Sequence, residues 1–344
     1  MSVLATIPPG VIDAHAHLVP RVLPRVATAL SRPWVRCMDE TRAQLVADER
    51  TVRDLDHRCW DVTARITTMD EESVAMQVVS PMPELLTPWL PARDTQDIAR
   101  YVNEAIATLV SLRPDRFLGL GMVSLQDPDA ASRQLEAIRD MGLSGVEVPA
   151  DVAGTRLSDG VLRPFLAEIE RQELTVFVHP LRPLDLGLAF PAADALVGYP
   201  MQTGRAVVDL ASAQVLESLP RLKLLFAHGG GVAATLLKRC AHGWRVVPAV
   251  RAALPIDPLE VARCFYYDTL LYDAASIRFL ADTFGTDRLL VGSDFPFALR
   301  EAHPGHLLAA AGISEDARRL MQRETALRLF NSRGGLARPS PPSR

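Results

Sequence analysis

The sequence predicts a distorted (β/α)8 TIM barrel, an α/β fold, with an insertion after the first strand. Three observations carry this reading. Eight short β-rich runs recur along the chain, longer helical patterns alternate with them, and 344 residues suffice for one such barrel. The apolar fraction of 48% supplies a core, and with only 6% aromatic residues Ala, Val and Leu must do most of the packing. A doubly wound open sheet is the alternative arrangement of the same elements.

The candidate strands are Val11–His17, Val74–Ser80, Phe117–Val123, Gly145–Pro149, Thr175–His179, Leu222–His228, Phe265–Thr269 and Leu289–Asp294. Helical patterns fall at Thr95–Leu112, Ala130–Met141, Leu162–Gln172, Gly204–Leu219, Ala274–Phe284 and Glu315–Phe330. The polar groups around Ser158 and Ser314 suit helix starts. Between Pro20 and Asp61 the periodicity fails. This Arg- and Asp-rich stretch (residues 20–61) reads as an insertion lying over the active-site face. Residues 1–333 then form one barrel domain, and the proline-containing stretch Gly334–Arg344 is a C-terminal tail.

Charge and composition exclude several classes. The formal net charge is -4 with no long run of one sign, which argues against nucleic acid as a partner. No stretch of about 20 apolar residues suggests a membrane span, and the N-terminus lacks a secretory-signal pattern. Cys37, Cys59, Cys240 and Cys264 form no CxxC pair, so no disulfide framework is expected. The expected compartment is the cytoplasm.

The chemistry sits at strand ends. Asp13-Ala14-His15-Ala16-His17 closes the first strand, and residues two apart on a strand share a face, so His15 and His17 can reach one ion. Alone, this pair is an even choice between metal ligands and histidines bonded to backbone carbonyls. His179 closes a second apolar run, His228 a third and Asp294 a fourth. In a barrel those C-terminal ends form one rim, where active sites are found. The pattern assigns a metal to His15, His17, His179 and Asp294. His228 is left more open to a structural role. Three imidazoles and a carboxylate suit zinc (Zn2+), with manganese (Mn2+), iron or cobalt as alternatives. A divalent ion there would polarise a substrate oxygen or activate a water.

These motifs resemble those of the amidohydrolase superfamily, within the branch containing 2-amino-3-carboxymuconate-6-semialdehyde decarboxylase (ACMSD). The resemblance runs from Ile12 to about Phe330. It is carried by Asp13-Ala14-His15-Ala16-His17, Arg58-Cys59-Trp60-Asp61, Val78-Val79-Ser80-Pro81, Phe177-Val178-His179-Pro180, Phe226-Ala227-His228-Gly229-Gly230-Gly231 and Gly292-Ser293-Asp294-Phe295-Pro296-Phe297. It implies a metal-dependent non-oxidative decarboxylase working as a homodimer. His15, His17, His179 and Asp294 would hold zinc, and His228 would act as acid/base, with Asp294 also counted in the catalytic set. The resemblance further implies that Arg53 binds a substrate carboxylate and that Arg239 is offered to the neighbouring active site. Spacing to the motifs is all that lifts either arginine above a solvated surface charge.

The substrate wall departs from the family. A lysine is replaced by Ala47, a tryptophan by Ala195, and a second dimer-borne arginine by Val247, with Arg245 two residues earlier. The expected substrate is therefore a related small unsaturated or aromatic carboxylic acid. A metal-dependent hydrolase or hydratase is the alternative, and a non-catalytic binding protein is a third reading. His57, His242, His303 and His306 lack a strand-end context and read as loop or surface residues. Gly229–Gly231 lack the P-loop Lys-Ser/Thr, so they read as a close backbone approach to the metal site. No histidine is placed to activate Cys59 as a nucleophile.

Overall fold

The computed structural model describes residues 7–25, 31–181, 187–188, 190 and 192–330. The tail expected at 334–344 lies outside them. Eight parallel strands run in chain order: β1 (Val11–Leu18), β2 (Val74–Pro81), β3 (Phe117–Gly119), β4 (Gly145–Pro149), β5 (Thr175–His179), β6 (Lys223–Phe226), β7 (Tyr266–Asp268) and β8 (Leu289–Leu290). β1 pairs with β2 and β2 with β3, while β4 to β8 pair in sequence. Single bridges join the two sets, Gly121 to Val146 and Ala16 to Phe295, and close the ring. The open sheet is thereby set aside in favour of the barrel.

Burial explains the composition of the strands. A parallel strand covered on both faces reads as a continuous apolar run, and β2, β4 and β5 are buried at every residue. Ile12, Met76, Val78, Leu120, Phe177, Leu225 and Leu290 form one cluster with Ala326, Leu329 and Phe330 of the last helical turn. A larger cluster lies between the strands and the surrounding helices.

Several strands end earlier than their patterns suggest, because polar side chains take over from the ladder. β8 stops at Leu290, and beyond it Ser293 gives its backbone N–H and hydroxyl to Asp13. β6 stops at Phe226, after which His228 and Gly229 turn their N–H groups to Asp268. The helical pattern Gly204–Leu219 is two helices, Tyr199–Ser212 and Val215–Ser218, separated at Gln214 with φ 51°. Two further helices flank the site: α1 (Val62–Glu71), capped by Asp61 on the Ala64 N–H, and α2 (Ala233–Val246). No helix among the described residues is long and apolar enough to cross a membrane.

The aperiodic insertion contains a three-stranded antiparallel sheet of Trp34–Cys37, Arg42–Ala47 and Arg50–Asp56. Its register shifts between Leu45 and Val46, and both side chains are buried. The extra residue is Val52 on the partner strand, and such a bulge, with two consecutive buried residues opposite it, breaks the two-residue period that a strand pattern needs.

Candidate metal centre

His15 and His17 lie two apart on β1, where the strand is irregular. Its register against β2 shifts between Asp13 and Ala16. Before the shift, Ile12 packs into the apolar cluster; His15, within it, and His17, beyond it, converge. β5 brings His179, and the turn after β8 brings Asp294 at φ 66°. One ligand atom from each of His15, His17, His179 and Asp294 lies within 4.8 Å of the others, and all four residues are buried. His15 Nε2 and His17 Nε2 are 3.0 Å apart, and Asp294 Oδ1 is 3.2 and 3.1 Å from them.

Each imidazole is fixed from behind. Nδ1 of His15 meets Asp268 Oδ2 at 2.7 Å, Nδ1 of His17 meets the Pro81 carbonyl at 2.8 Å, and Nδ1 of His179 meets the Pro180 carbonyl at 2.6 Å. A carbonyl or carboxylate can only accept, so these contacts hold the proton on Nδ1 and turn the Nε2 lone pair inward. Three such lone pairs and a carboxylate aimed at one another repel unless a cation or a shared proton lies between them. His179 Nε2 is buried with no hydrogen-bond partner among the described residues.

The surrounding charge is also unbalanced. Asp13, Glu147, Asp268 and Asp294 are buried, and among the described residues Arg65 is the one arginine or lysine that is fully buried. Arg65 donates to the His17 carbonyl at 2.6 Å and to Gln77 at 3.0 Å, and Gln77 passes on to Asp13 at 3.2 Å. Burial lifts the Asp13 carboxyl to about 6 against the bonds from Ser293. Burial also opposes charge on His15, but Asp294 and Asp268 outweigh it and raise its pKa to about 10 in the metal-free protein. His179 is driven well below its ordinary value by burial and by the neighbouring imidazoles. An excess of desolvated negative charge around converging lone pairs fits a divalent ion.

His228 stands at the edge of this cup. Its Nε2 is 3.9 Å from Asp294 Oδ2, and its buried Nδ1 has no partner among the described residues. Like Asp294, it adopts a left-handed backbone, at φ 55°, a strained conformation that clusters at functional sites. The next three residues explain how the turn is made. Gly229, Gly230 and Gly231 all have positive φ, and a Cβ on Gly231 would lie 1.8 Å from the Pro200 carbonyl oxygen. The close approach these glycines make is to Leu271, Tyr267 and Pro200 rather than, as expected, to the metal ligands, while the His228 and Gly229 N–H groups bind Asp268.

Arg53 belongs to the insertion sheet, and its guanidinium lies 4.1 Å from the Phe297 ring centroid. Phe297 in turn packs 5.2 Å from the His17 ring. Arg53 is already engaged: Nε and Nη2 both donate to Glu84 Oε1, at 2.8 and 2.5 Å. Arg239 is exposed on α2, and among the described residues no hydrogen bond or ion pair ties it to the cluster. Arg245 pairs with Asp257 at 3.8 Å, and Val247 is exposed. His242, His303 and His306 are exposed, and His57 lies in a short turn. Burial raises the Cys59 thiol to about 11, consistent with an inert cysteine.

Three contributors escaped the sequence reading. Asp268 holds His15 and both N–H groups of the His228 turn, and it follows the same rule as the ligands, an acid near the end of an apolar strand. Glu147 lies mid-strand on β4 with both carboxylate oxygens unpartnered among the described residues, 3.6 Å from His17 Nδ1. Glu84 sits in a short turn with no local signal.

A family model described as amidohydrolase matches residues 12–331. The chain is 32% identical over 304 residues to 2-amino-3-carboxymuconate-6-semialdehyde decarboxylase of Dictyostelium discoideum, covering 86% of this chain and 84% of that one. It is 27% identical over 303 residues to gamma-resorcylate decarboxylase of Rhodococcus jostii (strain RHA1), covering 80% and 90%. The crystal structure of 5-carboxyvanillate decarboxylase from Sphingomonas paucimobilis shares the fold, with a TM-score of 0.77 at 23% identity over 93% of this chain and 98% of that one.

Proposed function

The chain belongs to the amidohydrolase family, and from that premise we propose that it is a metal-dependent, non-oxidative decarboxylase of a small unsaturated or aromatic carboxylic acid. One observation carries the reading: three inward Nε2 atoms and a carboxylate converge in a buried, negatively charged cup with His228 at its edge. His15, His17, His179 and Asp294 would hold the ion. When bound, a divalent ion supplies a Lewis-acid centre that orients and polarises the substrate's oxygen atoms.

The chain's own residues do the rest. Asp268, Pro81 and Pro180 lock the imidazoles so that nothing reorganises during reaction. His228 moves the proton. The bond from the substrate carbon to its carboxyl group breaks, and the electron pair stays in the conjugated system. A proton from His228 forms the new C–H bond, CO2 departs, and His228 is reprotonated from solvent.

The donor set suits zinc, with manganese the alternative. A cytoplasmic homodimer is the expected form. Arg239 on α2 lies among the exposed apolar residues Val232, Leu236, Val246 and Val247, which supports an interface on that face. Arg53 is the proposed contact for the far end of the substrate.

The expected result is CO2 release from members of a panel of hydroxybenzoic and unsaturated acids. Chelation should abolish it, and so should His228→Ala with the metal content retained. Entry of solvent oxygen into product without loss of CO2 would replace this reading with a hydrolase or hydratase.

A further inference from the structure

We propose that Glu84 sets the substrate class: by occupying Arg53 it makes the pocket accept monocarboxylic acids bearing a neutral polar group, such as a phenolic hydroxyl, and disfavour dicarboxylic acids. The inference rests on the decarboxylase reading and refines it.

The pair is built into the wall beside the metal cup. Arg53 is about one-third exposed, and Glu84 is 16% exposed at its side chain. Two of the guanidinium's N–H groups are spent on one carboxylate oxygen, and the other oxygen, Oε2, is enclosed without a partner among the described residues. The guanidinium stacks on Phe297, which touches His17 and so links this pair to the cup. Tyr199 stands in the same field: burial, then Glu84, push its hydroxyl up to about 12.

The consequence is electrostatic. One substrate carboxylate is the group to be lost, and it belongs at the cup. At the far end the substrate meets a pair whose charges cancel. A free arginine would reward a second carboxylate with a charge-assisted bond. Here such a carboxylate would face Glu84 as well, and like charges so close are costly in a partly buried wall. A neutral acceptor faces no such repulsion. It can take Arg53 Nη1, which has no partner among the described residues.

The test is calorimetric binding to metal-loaded, full-length protein, with ligands matched in ring position: 3-hydroxybenzoate against isophthalate and 4-hydroxybenzoate against terephthalate. Wild type should prefer the hydroxy acid of at least one pair by about tenfold or more. Glu84→Gln, with Glu84→Ala as the second variant should the first fold poorly, should move that ratio about tenfold or more toward the dicarboxylate. Adding Arg53→Met should remove the gain. A wild-type preference for dicarboxylates, an unchanged ratio in folded variants, or failure of all four acids to bind would overturn the assignment. Expected binding ratios without CO2 from any acid would instead sink the decarboxylase reading and leave the role of Glu84 standing.

Discussion

Replacing Asp268 with asparagine should damage both halves of the site. The carboxylate accepts four hydrogen bonds. Oδ2 takes His15 Nδ1 at 2.7 Å and the His228 N–H at 2.9 Å, and Oδ1 takes the N–H groups of Gly229 at 2.8 Å and Leu270 at 3.1 Å. Asparagine keeps one accepting oxygen and places an NH2 where the other stood. If the NH2 faces His15, donor meets donor and the imidazole must move its proton to Nε2, closing the lone pair that the ion needs. If it faces Gly229, the turn that carries His228 is pushed away. Either way two buried N–H groups lose a charged acceptor.

Charge-assisted hydrogen bonds contribute roughly 1.5–3 kcal/mol each, so a loss of about 3 kcal/mol or more is expected after local relaxation. In a chain of this size that corresponds to a Tm lower by roughly 5 °C in the metal-free protein. Metal affinity should fall about 10- to 100-fold if the His15 side is hit, the usual effect of removing a carboxylate behind a ligating histidine. Competition against a fluorescent chelator measures the affinity, and thermal unfolding with and without metal measures the rest. A variant with unchanged metal-free Tm and affinity within about twofold of wild type would refute the role given to Asp268.

Two further outcomes follow from the same geometry. In the metal-free protein the raised pKa of His15, about 10, means its proton contributes stability fully below the unfolded value and loses it as pH rises through about 10. An ion must displace that proton, and the pKa of His17 is raised as well, against its burial, by Asp294 and Glu147, so apparent metal affinity should rise with pH and proton should be released on binding near neutrality; calorimetry in two buffers of different ionisation enthalpy counts it, and none released would contradict the protonation assigned to His15. His228 has φ 55°, so His228→Gly should be more stable than His228→Ala by about 1 kcal/mol, with both equally inactive; equal thermal stability would show that the left-handed turn carries no strain.

What the sequence displayed of this site was decided by locality. His179 and Asp294 were visible because each closes a run that opens apolar, unbroken before His179 and followed by Gly292-Ser293 before Asp294, and a barrel gathers all such ends on one rim. Asp268 lies near such an end too, but the apolar reading ran on to Thr269 and hid it within a strand. Glu147 interrupts β4 at its centre, where a lone acid signals burial without naming its neighbour. Glu84 is 31 residues from Arg53, and only the folded wall puts them together. The insertion was opaque for a different reason: Leu45 and Val46 are consecutive and both buried, and Val52 is an extra residue in the strand paired with them, so neither strand keeps the two-residue period.

The prolines of the two strand-end motifs show how local and non-local information meet. Ser80-Pro81 and His179-Pro180 read in the sequence only as marks of resemblance. In the fold, each proline sits at or just past the end of its strand, where it has no N–H to continue the ladder. Its carbonyl is free to take an imidazole N–H, from His17 in one case and His179 in the other. Termination of the strand and orientation of the ligand are therefore one event. His15 has no such proline and depends on Asp268, a charged acceptor brought from β7. That difference makes His15 the ligand most exposed to substitution elsewhere in the chain. It also means that the Asp268 carboxylate, which ties the metal cup to the His228 turn, is a link that no stretch of neighbouring residues could reveal.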